Sequence, residues 1–262
     1  AADVLRPVYE QTRGRDGYIS FECSPYLAND TEATIGEALR LWAAVDRPNL
    51  MVKVPATPAG IPAIRQLIGR GLNINITLLF AVSVYEQVVE AYLAGLEDLN
   101  RSGRDLSKIG SVASIFVSRI DVATDRRLDQ LGDKKLADRL RGKAGIANAK
   151  LAYERYKARF SDPRWQPLAA SGARTQRLLW ASTSTKSPAY KDTMYVEALI
   201  GRDTVDTIPP ATMDAFRDHG QAMPDVIERD LAGAHTVLAE LEAHGISLKE
   251  VTDQLVKDGV QK

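Results

Sequence analysis

An α/β fold built from repeated βα units is predicted by three observations. Short apolar segments rich in β-branched residues alternate along the chain with longer segments of helical periodicity. The length, 262 residues, suits one α/β barrel. Neither G-x-G-x-x-G after the first strand nor G-x-x-x-x-G-K-[ST] anywhere is present, which argues against an open nucleotide-binding sheet. The expectation is a TIM (β/α)8 barrel, a single domain over residues 1–262, with only the last six βα units evident.

The chain opens on AADVLRPVYE, an amphipathic helix pattern with neither the basic region nor the apolar core of a secretory signal. It reads as the middle of a longer protein. The first strand is GYISFEC, residues 17–23, followed by a loop marked by Pro25, Asn29 and Asp30. In residues 31–44, Ile35, Ala38, Leu39 and Trp42 share one helical face that Leu41 widens, and Thr31 or Asp30 is placed to cap it. LMVKVPAT, residues 50–57, is the second strand; Ile61, Ile64, Leu67 and Ile68 form the next helical face, with Gly69 and Gly71 as its stop. NINITLLFA, residues 73–81, is the third strand and precedes a helix over 82–103.

The fourth strand is SVASIFVSRI, residues 111–120. A charged helical region over 122–160 follows, divided near Gly132 and Gly142. RTQRLLWASTST, residues 174–185, holds the fifth strand and a polar exit loop. A short sixth strand over 205–208 ends at Pro209 and Pro210, and helices are expected over 222–245 and 247–260. This last pair is expected to close one end of the barrel or to pack outside it.

Composition removes several functions. Lys plus Arg equals Asp plus Glu at 34 each, so no net charge draws a polyanion and generalised nucleic-acid binding is not expected. No segment approaches the roughly 20 apolar residues of a membrane helix. The single cysteine, Cys23, excludes a disulfide within the chain and fits a reducing compartment, so the cytoplasm is expected. On the face opposite Glu22, it reads as a packed thiol. His219, His235 and His244 show no H-E-x-x-H or mixed Cys/His spacing, so no metal is assigned.

Lys53 is the most informative residue. Alternation in LMVKVP turns it away from the face of Val52 and Val54, towards the interior of a barrel near its C-terminal mouth. A desolvated amine there is a nucleophile able to form a Schiff base with a ketone; the other reading is a strand-end lysine reaching solvent. Glu22 occupies the polar alternate of the preceding strand, where a carboxylate can move protons, or simply pair with Lys53 or Arg119. Asn75 and Thr77, two apart in NINITLLF, face one side, suited to a substrate hydroxyl and a catalytic water, or to an internal polar layer. Ser114 and Arg119 suit a sugar oxygen and a phosphate, with a surface ion pair as the other account of Arg119. Ser182, Thr183, Ser184, Thr185 and Lys186 offer hydroxyls and a cation at a strand exit, a composition shared with ordinary polar turns.

At these residues the chain resembles the long-form transaldolases, class I Schiff-base enzymes. The matching motifs run in order: GYISFECSPYLANDTEATI, NLMVKVPATPAGIPAI, GLNINITLLF, SVASIFVSRID, LLWASTSTKSPAYKDTMYVEALIG and DTVDTIPPATMDAF. The resemblance implies cofactor-independent transfer of a dihydroxyacetone unit from sedoheptulose 7-phosphate or fructose 6-phosphate to glyceraldehyde 3-phosphate or erythrose 4-phosphate, with a fructose-6-phosphate aldolase-like lyase or a non-catalytic sugar-phosphate-binding fragment as the alternatives. It implies that Lys53 forms the Schiff base, and that Glu22 and Thr77 position the catalytic water. Asn75 and Ser114 fall at substrate-hydroxyl positions, Arg119 at a phosphate position, and Ser182, Ser184 and Lys186 at the anion-binding strand exit. Many family members carry A-S-F-R there; this chain reads A-S-T-S-T-K. The resemblance further implies two earlier strands bearing an aspartate and an asparagine of the site. A chain lacking them is expected to be unstable and nearly inactive. The expected partners are small sugar phosphates, with a homo-oligomer or a separate N-terminal fragment left open.

Overall fold

A computed structural model describes residues 1–261. Six strands, β1 (Ile19–Glu22), β2 (Leu50–Pro55), β3 (Ile74–Leu79), β4 (Ser111–Phe116), β5 (Arg177–Ala181) and β6 (Thr204–Asp206), form one parallel sheet in sequential order. A doubly wound sheet reverses its order at a switch point; an uninterrupted progression is that of a barrel wall. β1 and β6 do not pair with each other among the described residues, so the wall is open and the expected eight-stranded closure is not formed by them.

Among the described residues twelve helices accompany this wall: α1 (Ala2–Gln11), α2 (Thr31–Val45), α3 (Gly60–Gly69), α4 (Val82–Arg101), α5 (Ser118–Leu131), α6 (Lys134–Leu140), α7 (Ala144–Arg159), α8 (Trp165–Ala170), α9 (Met194–Ala198), α10 (Pro210–His219), α11 (Leu231–Ala243) and α12 (Leu248–Gln261). Strand alternation sends Val52, Val54, Ile74, Ile76, Ala113, Ile115, Leu178 and Trp180 to the helix side, where all are buried in the main core. Their removal from water is the chief force holding the helices on the sheet. The opposite, concave face carries a smaller apolar layer of Met51, Val112, Leu179 and Ala181.

Several boundaries have local causes. Asp30 caps α2 by accepting from Ala33 N at 2.9 Å. The region 122–160 divides where expected: Gly132 ends α5 in the left-handed conformation, and Asp133 caps α6. β4 is shorter than expected because α5 begins at Ser118, which places Arg119 in a helix rather than in a strand. β5 stops at Ala181 because Ser182 adopts φ 59°. The helix expected over 222–245 is interrupted. Asp225 and Asp230 both take positive φ, a short 3-10 turn spans Val226–Glu228, and α11 begins only after Asp230 caps it through Gly233 N.

The C-terminal helices take both expected positions. α11 packs outside the wall on α7, while α12 rests on α5 and on the end of β3. At that end β3 carries a bulge with Leu78 at φ 50°. Gly259 of α12 lies so close that a Cβ there would stand 2.6 Å from Leu78 Cδ2.

Candidate active site

The strand register builds the site. Glu22 of β1 lies opposite Lys53 of β2, and Lys53 lies opposite Asn75 of β3, so the three side chains form one row on the concave face. Lys53 Nζ stands 3.4 Å from Glu22 Oε2, with the lysine side chain 26% exposed and the glutamate 54%. The charged partner beside Lys53 is thus the Glu22 carboxylate, the pairing that the sequence left open for it. Asn75 Nδ2 donates to Ser20 Oγ at 2.9 Å, and Ser114 Oγ donates to Asn75 Oδ1 at 2.6 Å. These bonds fix the amide orientation beside the lysine. Lys53, Glu22, Asn75 and Ser114 line one cavity of about 460 Å³, with Ser20 and Phe116 on its wall.

The other expected site residues do not line this cavity. Thr77 is the next inward position on β3, opposite Pro55 in register, and is buried just before the Leu78 bulge. The Arg119 guanidinium stacks over Phe116 at 4.7 Å from the ring centroid. Arg119 and Lys186 together line a second cavity, of about 580 Å³, between α5 and α12. Phe116 lines the Lys53 cavity, and Arg119, stacked on its ring, lines the second. Ser182 Oγ lies 2.9 Å from Ser118 Oγ, and Ser184 Oγ accepts from Lys186 Nζ at 2.5 Å.

The family model for transaldolase/fructose-6-phosphate aldolase matches residues 1–262. The chain is 52% identical over 262 residues to transaldolase 1 of Streptomyces avermitilis, covering all of this chain and 69% of that protein. It is 50% identical, again over its whole length, to the transaldolases of Parafrankia sp. (strain EAN1pec) and Acidothermus cellulolyticus, covering 71% and 70% of those proteins. This chain belongs to the transaldolase/fructose-6-phosphate aldolase family.

The row Glu22–Lys53–Asn75 brings together an amine, a carboxylate 3.4 Å from it and an amide held at a fixed angle, a set of groups that can support Schiff-base chemistry. Sequence reasoning missed Ser20, although its position two before Glu22 in GYISFEC puts it on the same face. It also missed Asp206, whose carboxyl is pushed up to about 7 by burial, against a hydrogen bond from Thr183. No sequence pattern marks an aspartate as buried. Cys23 lies in the core, and burial raises its thiol to about 11, in keeping with a packed, unreactive group. No helix of the described residues is long and apolar enough to cross a membrane.

Proposed function

We propose that the chain is a transaldolase that moves a dihydroxyacetone unit between sugar phosphates through a Schiff base on Lys53, acting in the cytoplasm. The observation that carries this reading is the Lys53–Glu22 pair, 3.4 Å apart on neighbouring strands and open to the concave cavity. Lys53 Nζ attacks C2 of fructose 6-phosphate or sedoheptulose 7-phosphate. The resulting carbinolamine loses its oxygen as water, with Glu22 passing the proton through a water held by Thr77. Breaking the C3–C4 bond then releases an aldose phosphate and leaves the three-carbon unit on Lys53 as an enamine, the C4 hydroxyl proton passing to a base. The enamine carbon attacks the aldehyde carbon of the acceptor aldose phosphate, the same base returns its proton to the new hydroxyl, and hydrolysis of the new imine frees Lys53.

Asn75 and Ser114 are assigned to substrate hydroxyls, since they are already hydrogen-bonded to each other at the cavity wall. Arg119, Ser182, Ser184 and Lys186 are assigned to the phosphate end. Support for that end is the placement of Arg119 and Lys186 on one cavity beyond Phe116.

The test is intact-mass spectrometry after treatment with fructose 6-phosphate and borohydride, followed by peptide mapping. The expected product is a reduced three-carbon adduct on Lys53, absent from Lys53→Ala. An adduct on another lysine, or none, sinks the assignment. Release of free dihydroxyacetone without an acceptor would assign the aldolase activity that the family name also covers.

A further inference from the structure

The loop leaving β5 carries Ser182, Ser184 and Lys186, and it is anchored from two sides. On one side Ser182 O accepts from Ser118 N at 3.2 Å, and the two hydroxyls meet at 2.9 Å. On the other side Thr183, fully buried, donates from Oγ1 to Asp206 Oδ1 at 2.9 Å. Between these anchors Ser182 sits at φ 59°, a conformation that a residue with a Cβ holds only when its surroundings fix it.

Asp206 is the last residue of β6, opposite Trp180 in register. Val205 and Thr207 line the Lys53 cavity, so alternation turns Asp206 away from it and out of reach of a substrate there. Among the described residues no cation lies within ion-pair distance of Asp206, and Thr183 is its side-chain hydrogen-bond partner. An unpaired, partly buried carboxyl is a costly choice for a position that only needs filling. Its one specific contact is with the loop.

We propose that Asp206 is a positioning residue for the anion-binding end of the site. Through Thr183 it fixes the β5 exit loop, and through the Ser182–Ser118 contact it fixes the first turn of α5, setting Lys186 and Arg119 relative to Lys53. The ligand it serves is the phosphate monoester end of a sugar phosphate, so the inference rests on the proposed Schiff-base reading. Arg119 follows Ser118 directly, and Arg119 and Lys186 share one cavity, so both cations depend on this chain of contacts.

The experiment compares the wild-type chain with Asp206→Asn, Asp206→Leu and Thr183→Val. It measures kcat and KM for fructose 6-phosphate with erythrose 4-phosphate as acceptor, and borohydride trapping of dihydroxyacetone, which carries no phosphate. Asp206→Leu and Thr183→Val are expected to raise KM about tenfold, with kcat changed far less, and Asp206→Asn to keep KM near wild type because its amide oxygen still accepts from Thr183. Trapping of dihydroxyacetone on Lys53 is expected to be equal in all four. Unchanged KM in the leucine and valine variants, or an equal loss with the phosphorylated and unphosphorylated ketones, overturns the inference. Should Asp206→Leu fail to fold, Thr183→Val, which keeps the side-chain shape, decides alone. Absence of a wild-type adduct removes the Lys53 reading and this inference with it, and is visible before any substitution is made.

Discussion

Asn75 on β3 donates to Ser20 on β1 at 2.9 Å, although β2 lies between them. Neighbouring strands stand about 4.8 Å apart, so side chains two strands apart on a flat sheet are separated by roughly 10 Å. The bond is possible because the sheet curves and its inward side chains converge. Curvature therefore does more than shape the wall: it brings Ser20, Asn75 and Ser114, from three strands, into one hydrogen-bonded set beside Lys53.

That set makes a first prediction. Ser20→Ala removes one bond to the Asn75 amide and is expected to cost about 1 kcal/mol of stability, measured by urea unfolding, with a several-fold fall in kcat/KM. Asn75→Ala strands two partners, Ser20 and Ser114, and is expected to cost more on both measures. If Ser20→Ala leaves kcat/KM untouched, the Ser20 contact does not orient the amide for catalysis.

Glu22 and Lys53 are separable by experiment. Glu22→Gln keeps the size of the side chain and removes its ability to carry a proton, so trapping of the Lys53 adduct is expected to slow by about 10²-fold without changing where the adduct forms. Single-turnover trapping with peptide mapping reads both quantities. A wild-type trapping rate would leave Glu22 as no more than an ion-pair partner of the lysine, the plainer reading of its place on β1.

Much of the fold, and the side of the sheet on which the candidate site residues lie, was legible because strand alternation is a strict code. Lys53 between Val52 and Val54, and Asn75 between Ile74 and Ile76, could face only one way once those valines and isoleucines were buried. What alternation does not encode is the conformation where strands end. Arg119 was read as a strand-exit residue, yet the turn into α5 swings it over Phe116 and out of the lysine cavity. The same holds for Ser182, whose left-handed backbone no local pattern in WASTSTK announces. Nothing in the sequence around Asp206 marks it, because its character comes from burial, a tertiary property.

Gly259 tests the cover that α12 places on β3. A methyl group there meets only the mobile end of Leu78, so Gly259→Ala is expected to stay within about 1 kcal/mol of wild type, aided by the better helix propensity of alanine. Gly259→Phe has no such room and is expected to destabilise by about 1–3 kcal/mol while displacing α12. Because α12 also lines the cavity holding Arg119 and Lys186, KM for fructose 6-phosphate is expected to rise in the phenylalanine variant alone. Thermal unfolding and steady-state kinetics on both variants check this; equal KM values would separate α12 from substrate binding.

Asp206 also predicts a dependence of stability on pH, with a definite sign. Burial raises its carboxyl from 3.8 to about 7, so between those values the folded protein binds a proton that the unfolded chain has lost. The stability this supplies is fully present below about pH 4 and is lost as pH rises through about 7. Asp206→Asn has no proton to lose. The stability of the variant relative to wild type is therefore expected to rise with pH across that window, by at most about 1.4 kcal/mol per pH unit, and to level off above it. Urea unfolding of both proteins at several pH values measures the difference directly. A difference that stays flat with pH would mean that the carboxyl titrates alike in the folded and unfolded chains, and that Thr183 stabilises its ionised form as well as burial disfavours it.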